Sequence, residues 1–336
     1  MVRHVKNVPL PVSGGLSAAA PFFGRRPDPQ AGGETAATVT AVETSLPRLR
    51  GLTISPRTFR RAALANVLWL FVIVASGASV RLTDSGLGCL DWPGCSAGSF
   101  VPKNGFHSFV EFSNRIVSGV AVFITLGTLV LALLTRSARP WVRWVAGAAF
   151  LGTAAEAPLG KITVDHNLNP WLVGTHFLLA ILVLMLGVVV LLEAWGLRGE
   201  AVPMWVRRIG LLVGASCAVL VVTGTLATAA GPHSGSVAVP RVWSFDPAVW
   251  LHVRATAVFG ISFALLLLWL AIRRYRQLWA AFAVLAVLAA QMAVGEIQYH
   301  TKLPWWLVLT HVTLAAGLWA ATVAFVALLW RPDRIA

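Results

Sequence analysis

Eight long apolar stretches, separated by short polar or basic connections, constrain this chain more than any other feature of its sequence. Each stretch is close to the roughly 20 residues that an α-helix needs to cross a bilayer. The predicted spans lie at residues 62–81, 110–135, 142–163, 171–195, 206–229, 248–272, 278–297 and 305–329. Composition agrees, because 57% of the 336 residues are hydrophobic and only 12% are charged. We therefore expect an all-α polytopic membrane protein with eight transmembrane helices in a lipid bilayer.

The distribution of basic residues predicts how these spans are oriented. Arginines precede the first span, occupy every second connection and follow the eighth span. The arginines in this pattern are Arg57, Arg60, Arg61, Arg136, Arg139, Arg143, Arg198, Arg207, Arg208, Arg273, Arg274, Arg276, Arg331 and Arg334. Because basic connections stay on the cytoplasmic side, we expect a plasma-membrane protein with both termini in the cytoplasm. The net charge of +14 is then a topology signal, and no nucleic-acid partner is expected.

Residues 1–60 differ from the rest of the chain. They are rich in Gly, Pro, Ala, Arg and Thr and show no sustained apolar period, which predicts a disordered basic cytoplasmic tail. No apolar segment with a cleavage site precedes the first span, so no removed signal peptide is expected. The Arg-containing, acid-poor start also fits a transit peptide, which is the alternative interpretation.

The sequence repeats itself between its two halves. The third span ends in GKITVDHNLNPW (residues 160–171) and the seventh in GEIQYHTKLPW (residues 295–305), and a Thr-His pair follows each. A polar residue stands four positions before each glycine, as Glu156 and Gln291. The repeat predicts two four-helix bundles, at residues 61–197 and 198–331, related by a pseudo-two-fold axis along the membrane normal. On this alignment, Asn114 in the second span corresponds to His252 in the sixth.

Three histidines stand at related depths in the predicted bundles. His176, His252 and His311 each lie within about two turns of the outer end of an even-numbered span. Histidines on facing helices can hold a planar cofactor, and haem iron is commonly bound by axial histidine. One site is predicted between His252 and His311, and the other half offers His176 and Asn114. A metal ion or plain packing is the alternative.

The loop after the first span and the start of the second carry further polar residues. His107, Glu111, Asn114 and Arg115 fall along one helical face, where charges near lipid usually mark function. Glu111 either transfers protons to or from a reacting group or forms an ion pair with Arg115 that fixes the helix end. Glu156 is a further carboxylate within the predicted spans and is expected to hydrogen-bond between helices.

Two cysteines lie in the same outer loop, on the oxidising side of the membrane. A disulfide between Cys89 and Cys95 would close a small Asp-Trp-Pro-Gly loop. A loop staple and a redox role are both open for this pair. Cys217, inside the fifth span, is expected to be a packing residue.

Several segments together resemble the haem A synthase family, as an actinobacterial-like variant. They are VRLTDSGLGCLDWPGC, HSFVEFSNR, GKITVDHNLNPWLVGTH and LPWWLVLTH, and the resemblance covers roughly residues 60–330. It implies an oxidoreductase that oxidises the C8 methyl of haem O to a formyl by successive hydroxylations, giving haem A for cytochrome oxidase. The implied partners are haem O as substrate, a haem O synthase and cytochrome oxidase assembly factors.

The resemblance also implies roles for individual residues. A haem b cofactor is expected between His252 and His311 in the C-terminal half. The substrate haem is expected in the N-terminal half, with His176 as an iron ligand and Glu111 as the catalytic carboxylate beside the reacting methyl. The outer-loop cysteine pair of the family corresponds to Cys89 and Cys95.

One position departs from the family pattern. Many members carry His three residues after the glutamate, whereas this chain has Asn114, and an amide is a poor ligand for haem iron. Either His176 binds the substrate haem alone and leaves an open position for oxygen activation, or His107 substitutes as the second ligand. The same change also fits a chain that has lost catalysis. A two-haem electron-transfer cytochrome and a non-enzymatic haem transporter or assembly scaffold are the other function classes.

Overall fold

The computed structural model describes residues 54–103, 105–235, 240–241 and 243–331. Their regular structure is eight α-helices, which confirms the predicted all-α class. The helices are α1 (Pro56–Leu82), α2 (Phe106–Leu134), α3 (Pro140–Asp165), α4 (Pro170–Ala194), α5 (Met204–Ala230), α6 (Phe245–Ile272), α7 (Leu278–His300) and α8 (Trp305–Trp330). No β-strand occurs in this described part of the chain, where a single isolated bridge joins Ser96 and Ser99.

Seven of these helices are long and apolar enough to cross a membrane, which makes the chain a multi-pass membrane protein. The described helix that falls outside this set is α3. Its 26 residues are long enough for a span, but Arg143, Glu156 and Lys161 dilute its apolar character. The prediction of eight spans therefore stays a prediction.

Helix starts follow the local sequence closely. Proline occupies the first turn of α1, α3 and α4. A backbone N–H in the first turn makes no hydrogen bond within the helix, so proline, which lacks this group, is tolerated there. Ser55 and Asn169 cap α1 and α4, because their side-chain oxygens accept the backbone N–H groups of Thr58 and Trp171.

Helix α1 begins at Pro56, six residues before the predicted span (62 − 56 = 6). Residues 56–60 of the predicted tail are therefore helical, and the remainder of that tail up to residue 53 lies outside the described residues. The predicted boundaries of the other seven helices differ from the observed ones by four residues at most.

The helices of each half contact one another in the same order. In the first half, α1 and α3 each contact α2 and α4, and in the second, α5 and α7 each contact α6 and α8. The halves meet where α8 packs against α1 and α4, and where α4 contacts α5. Between α8 and α4, the Trp319 indole donates to the backbone oxygen of Ile181 at 3.0 Å.

Buried side chains form separate apolar clusters. The second half packs around Phe259, Phe263 and Phe325, with Cys217 fully buried among them, so this cysteine is a packing residue as expected. A second cluster joins the halves through side chains of α1, α4 and α8, including Leu184 and Ala316.

Candidate functional site

A short disulfide loop covers the N-terminal end of α2. Cys89 and Cys95 are bonded, as the sequence predicted, and the loop is fastened to α2 by polar contacts. The Ser108 hydroxyl donates to the backbone oxygen of Gly88 at 2.5 Å. Oε2 of Glu111 accepts the backbone N–H of Cys89 at 2.8 Å.

The second oxygen of Glu111 is engaged as well. Its Oε1 lies 2.5 Å from Nη2 of Arg115, one turn along α2, and the glutamate side chain is only 5% exposed. Arg115 also donates to the backbone oxygens of Asp91, at 2.6 Å, and Gly94. Together the two side chains clamp both sides of the disulfide loop onto α2. This is the ion pair that the sequence offered as one of two roles for Glu111, and the catalytic role stays a prediction.

The other polar residues at the start of α2 face different neighbours. Nδ1 of His107 lies 3.0 Å from the hydroxyl of Ser85, which is completely buried. Asn114 instead points toward α1, where its Oδ1 accepts a hydrogen bond from the Ser76 hydroxyl at 2.9 Å. The position that the repeat pairs with His252 is therefore held against α1.

His176 on α4 contacts the buried carboxylate on α3. Its Nδ1 lies 2.5 Å from Oε2 of Glu156, in an ion-pair contact whose angles fall outside hydrogen-bond geometry. Glu156 is 9% exposed, whereas the His176 side chain is 39% exposed. In place of the expected interhelical hydrogen bond, Glu156 makes an interhelical ion-pair contact with the predicted substrate-haem ligand. The carboxylate anchors one ring nitrogen and leaves the other available.

In the C-terminal half, the structure brings the predicted pair of histidines together. The ring centroids of His252 and His311 lie 6.5 Å apart, with their planes inclined by 74°. Nδ1 of His252 lies 3.2 Å from the Thr223 hydroxyl, and Nε2 of His311 lies 3.1 Å from the Gln291 amide nitrogen. Nδ1 of His311 is buried and makes no hydrogen bond within the described residues.

This spacing suits a haem iron. Two imidazoles on opposite sides of one iron, each with a metal–nitrogen bond of about 2 Å, have ring centroids roughly 6 Å apart. Metal-binding histidines usually direct the second ring nitrogen to a polar partner, as Thr223 and Gln291 allow here. In the described part of the chain, no group of three or more His, Cys, Asp or Glu could hold a bare metal ion. A macrocycle that supplies its own equatorial nitrogens fits these residues better.

The contacts follow the internal repeat. Ser76 contacts Asn114 as Thr223 contacts His252, and Glu156 contacts His176 as Gln291 contacts His311. Sequence reasoning aligned all these pairs but did not assign Ser76 and Thr223 any role. The sequence feature that could have indicated them is a faint repeat, Ser76-Gly77-Ala78 in the first span against Thr223-Gly224-Thr225 in the fifth.

Glycines on the odd-numbered helices make room for these rings. A Cβ atom at Gly224 would lie 3.1 Å from Cε1 of His252, and one at Gly295 would lie 3.0 Å from Cε1 of His311. In the first half, Gly160 faces His176 and Gly77 faces Asn114 at ordinary contact distances of 3.6 and 4.0 Å. The repeated glycines thus face the four repeat-related side chains, tightly in the second half and at ordinary distances in the first.

Arg81 and Arg241 contact residues of the loop between α5 and α6. Arg81 donates to the backbone oxygen of His233 at 2.9 Å, and Arg241 contacts Ser234 and Pro232. Arg254 is exposed. A cavity of about 240 Å³ lies between the disulfide loop and the end of α3, and Arg115 and Lys161 are among its lining residues. Asp91 and Asp165 also line it, and Lys161 is paired with Asp165, so the charges of the cavity wall are balanced.

Comparison with known families shows which family the chain belongs to. The family described as cytochrome oxidase assembly protein (COX15-CtaA) matches residues 60–106 and 101–323. The chain belongs to this family. Nearly all of α1 and the whole of α2 to α7, with most of α8, lie inside the matched segments, so the candidate histidines, Asn114 and Glu111 do as well.

Individual relatives of this COX15-CtaA family member carry the name "Heme A synthase". The protein from Symbiobacterium thermophilum is 30% identical over 122 residues, which cover 36% of this chain and 40% of that protein. The protein from Lysinibacillus sphaericus is 34% identical over 120 residues, 34% of this chain and 38% of its own length. That from an Exiguobacterium species is 27% identical over 223 residues, 63% of this chain and 72% of its own length. The chain thus spans about two fifths of the first two.

Proposed function

We propose that this chain is a haem A synthase, which oxidises the C8 methyl of haem O to a formyl and so provides haem A for cytochrome oxidase. Membership of the cytochrome oxidase assembly family and similarity to proteins named "Heme A synthase" support the reaction. The observation that carries it is the facing pair His252 and His311 with a repeat-related site at His176. A haem O synthase and cytochrome oxidase assembly factors are the proposed partners.

The proposed architecture is eight spans in two four-helix bundles, at residues 61–197 and 198–331. The closed order of contacts within each half supports it, as does the length of α3. The arginine-rich connections support a plasma-membrane orientation with both termini in the cytoplasm. The disulfide loop and all four candidate ligand positions then lie toward the outer face.

The cofactor site is proposed to hold haem b between His252 and His311. Thr223 and Gln291 orient the two rings, and Gly224 and Gly295 give the rings space that any larger side chain would fill. The contact between α6 and α7 is sparse, whereas α2 and α3 pack closely. This looser seam gives a planar cofactor room beside α6.

The substrate site is proposed in the N-terminal half, with His176 as the iron ligand. Glu156 anchors the ring of His176, and Ser76 holds the amide of Asn114 against α1. Because Asn114 offers no imidazole, the side of the site opposite His176 stays open for the oxidant. Haem iron supplies the oxidising chemistry when it is bound.

Glu111 is proposed to hold or accept a proton beside the reacting methyl. Arg115 balances its negative charge, and the Cys89 N–H fixes the second carboxylate oxygen. The disulfide loop excludes water from this carboxylate, which is 4% exposed as a residue. A charge held in such a dry position acts more strongly on a developing positive centre than it would in water.

The test is the haem content of membranes from cells that make haem O but no haem A, with and without this chain. With the wild-type chain we expect haem A or its hydroxylated intermediate, together with haem B. In the Glu111→Ala variant we expect haem A and its hydroxylated intermediate to be lost. Ser108→Ala is the matched control, because it removes another loop contact and keeps the carboxylate.

Other outcomes identify the other function classes. Unchanged haem O released from the protein would indicate a transporter or scaffold. Two haem B per chain would indicate an electron-transfer cytochrome. Either result would contradict the proposed oxidation.

A further inference from the structure

The two halves differ in charge at one repeat-related contact. In the N-terminal half, a carboxylate of Glu156 lies 2.5 Å from a ring nitrogen of His176. In the C-terminal half, the equivalent residue, Gln291, places a neutral amide 3.1 Å from a ring nitrogen of His311. Both polar side chains are buried, at 9% and 8% exposure.

The two pairs occupy corresponding positions in the repeat. Each polar residue stands four positions before a glycine that faces the same histidine, Gly160 for His176 and Gly295 for His311. The same pairs of helices contact one another, α3 with α4 and α7 with α8. The halves therefore differ in the charge of the partner and in the ring nitrogen that it contacts, Nδ1 of His176 and Nε2 of His311.

The partner of a metal-binding histidine sets the properties of the metal. A carboxylate held beside the ring of a metal-binding histidine raises the basicity of the ligand, which favours the more highly charged oxidation state of the metal. A neutral amide raises the basicity of the ligand less than a carboxylate does. The surrounding hydrogen bonds and charges are among the main levers by which a protein tunes a haem.

We propose that Glu156 is a positioning residue that fixes His176 as an electron-rich iron ligand and makes the N-terminal haem site electronically distinct from the Gln291-paired C-terminal site. This proposal rests on the proposed function, because it needs haem iron at His176. The buried carboxylate favours ferric iron in the reacting half. The neutral Gln291 leaves the haem of the other half at a higher potential.

Reciprocal variants test this assignment by their reduction potentials. The full chain is purified with its haems, loaded with haem O, and titrated potentiometrically while optical spectra are recorded. The haem that disappears in His176→Ala is the N-terminal one. In Glu156→Gln, we expect its ferrous-to-ferric ratio at a given potential to rise at least tenfold, an increase of about 59 mV for a one-electron couple.

Two further variants separate charge from folding. Gln291→Glu is expected to shift the C-terminal haem at least tenfold in the opposite direction. Glu156→Asp keeps the carboxylate and should stay nearer the wild-type potential than Glu156→Gln does.

The proposal is overturned if Glu156→Gln leaves the potential of the N-terminal haem within twofold of the wild-type ratio. In that case the wild-type chain still makes haem A, and the proposed function stands. If the wild-type chain binds no haem through His176, both the proposal and the proposed function fail. If Glu156→Gln does not fold, an unchanged C-terminal potential in Gln291→Glu also overturns the proposal.

Discussion

An amide and an imidazole occupy equivalent positions in the two halves. Asn114 and His252 both contact a hydroxyl on the preceding helix, Ser76 in one case and Thr223 in the other. The surroundings of Asn114 therefore already resemble those of a histidine site. In the proposed function, this single position decides whether the N-terminal haem has one histidine ligand or two.

Replacing Asn114 by histidine is expected to close the open side of the substrate haem. A second imidazole would complete the coordination of the iron, since Ser76 can orient its ring as Thr223 orients His252. We expect carbon monoxide binding to the ferrous N-terminal haem to be lost. Optical spectra with and without carbon monoxide measure this, and binding equal to wild type would show that Asn114 does not face the iron.

Small residues beside the ligands make a second prediction at this scale. A Cβ atom at position 295 would approach Cε1 of His311 to 3.0 Å, so Gly295→Ala must displace the ring. We expect the variant to retain less than half of its haem B in a pyridine haemochrome assay. Gly260→Ala is the control, because nothing lies within 4 Å of a Cβ atom there. Equal haem B in both variants would contradict the close-approach argument.

At the scale of elements, the disulfide loop and α2 behave as one unit. Glu111 and Arg115 bind backbone groups on both sides of the loop, so the helix holds the loop by charged contacts as well as by the chain connection. These contacts also explain how a charged pair exists at the end of an apolar helix.

Removing the carboxylate is expected to loosen this loop. A hydrogen bond to a charged group contributes about 1.5–3 kcal/mol, so amide exchange at Cys89 should become roughly tenfold to hundredfold faster in Glu111→Ala. Hydrogen exchange followed by mass spectrometry measures this on the loop peptide. Arg254→Ala, which removes an exposed arginine of α6, should leave the exchange unchanged. Unaltered exchange in Glu111→Ala would mean that other contacts hold the loop.

The sequence predicted the elements better than the contacts between them. Apolar runs located all eight helices, because lipid-compatible length is a property of each segment alone. The early start of α1 was missed, since Arg57, Arg60 and Arg61 read as part of a polar tail although arginine is a good helix former. The Cys89 contact of Glu111 depends on the path of the loop, which no local pattern specifies.

Glu193 is a further residue that the sequence did not single out. It stands near the inner end of α4 with a side chain that is 5% exposed, and three arginines, Arg139, Arg198 and Arg331, surround it. Burial lowers the pKa of Arg331 to about 10, with Arg139 adding to the effect, so this arginine remains charged at neutral pH. The cluster holds the end of α4 against the end of α8. The sequence did not indicate it, because these charges come together only in the folded chain.

At the scale of the whole molecule, the repeat relates two sites with different compositions. The halves share helix order, ring-facing glycines and polar partners, but they differ at Asn114 against His252 and at Glu156 against Gln291. Duplication explains what is common. The two differences fall on the contacts that would decide whether a haem reacts or stays.

The most direct measurement is the identity of the haem lost from each half. The full chain, its His176→Ala variant and its His252→Ala variant are purified from cells that make haem O, and their extracted haems are separated by chromatography. We predict that His176→Ala loses haem O and its oxidised products but keeps haem B, whereas His252→Ala loses haem B. Loss of the same haem from both variants, or haem B in both halves, would contradict the division into a reacting and a resident haem.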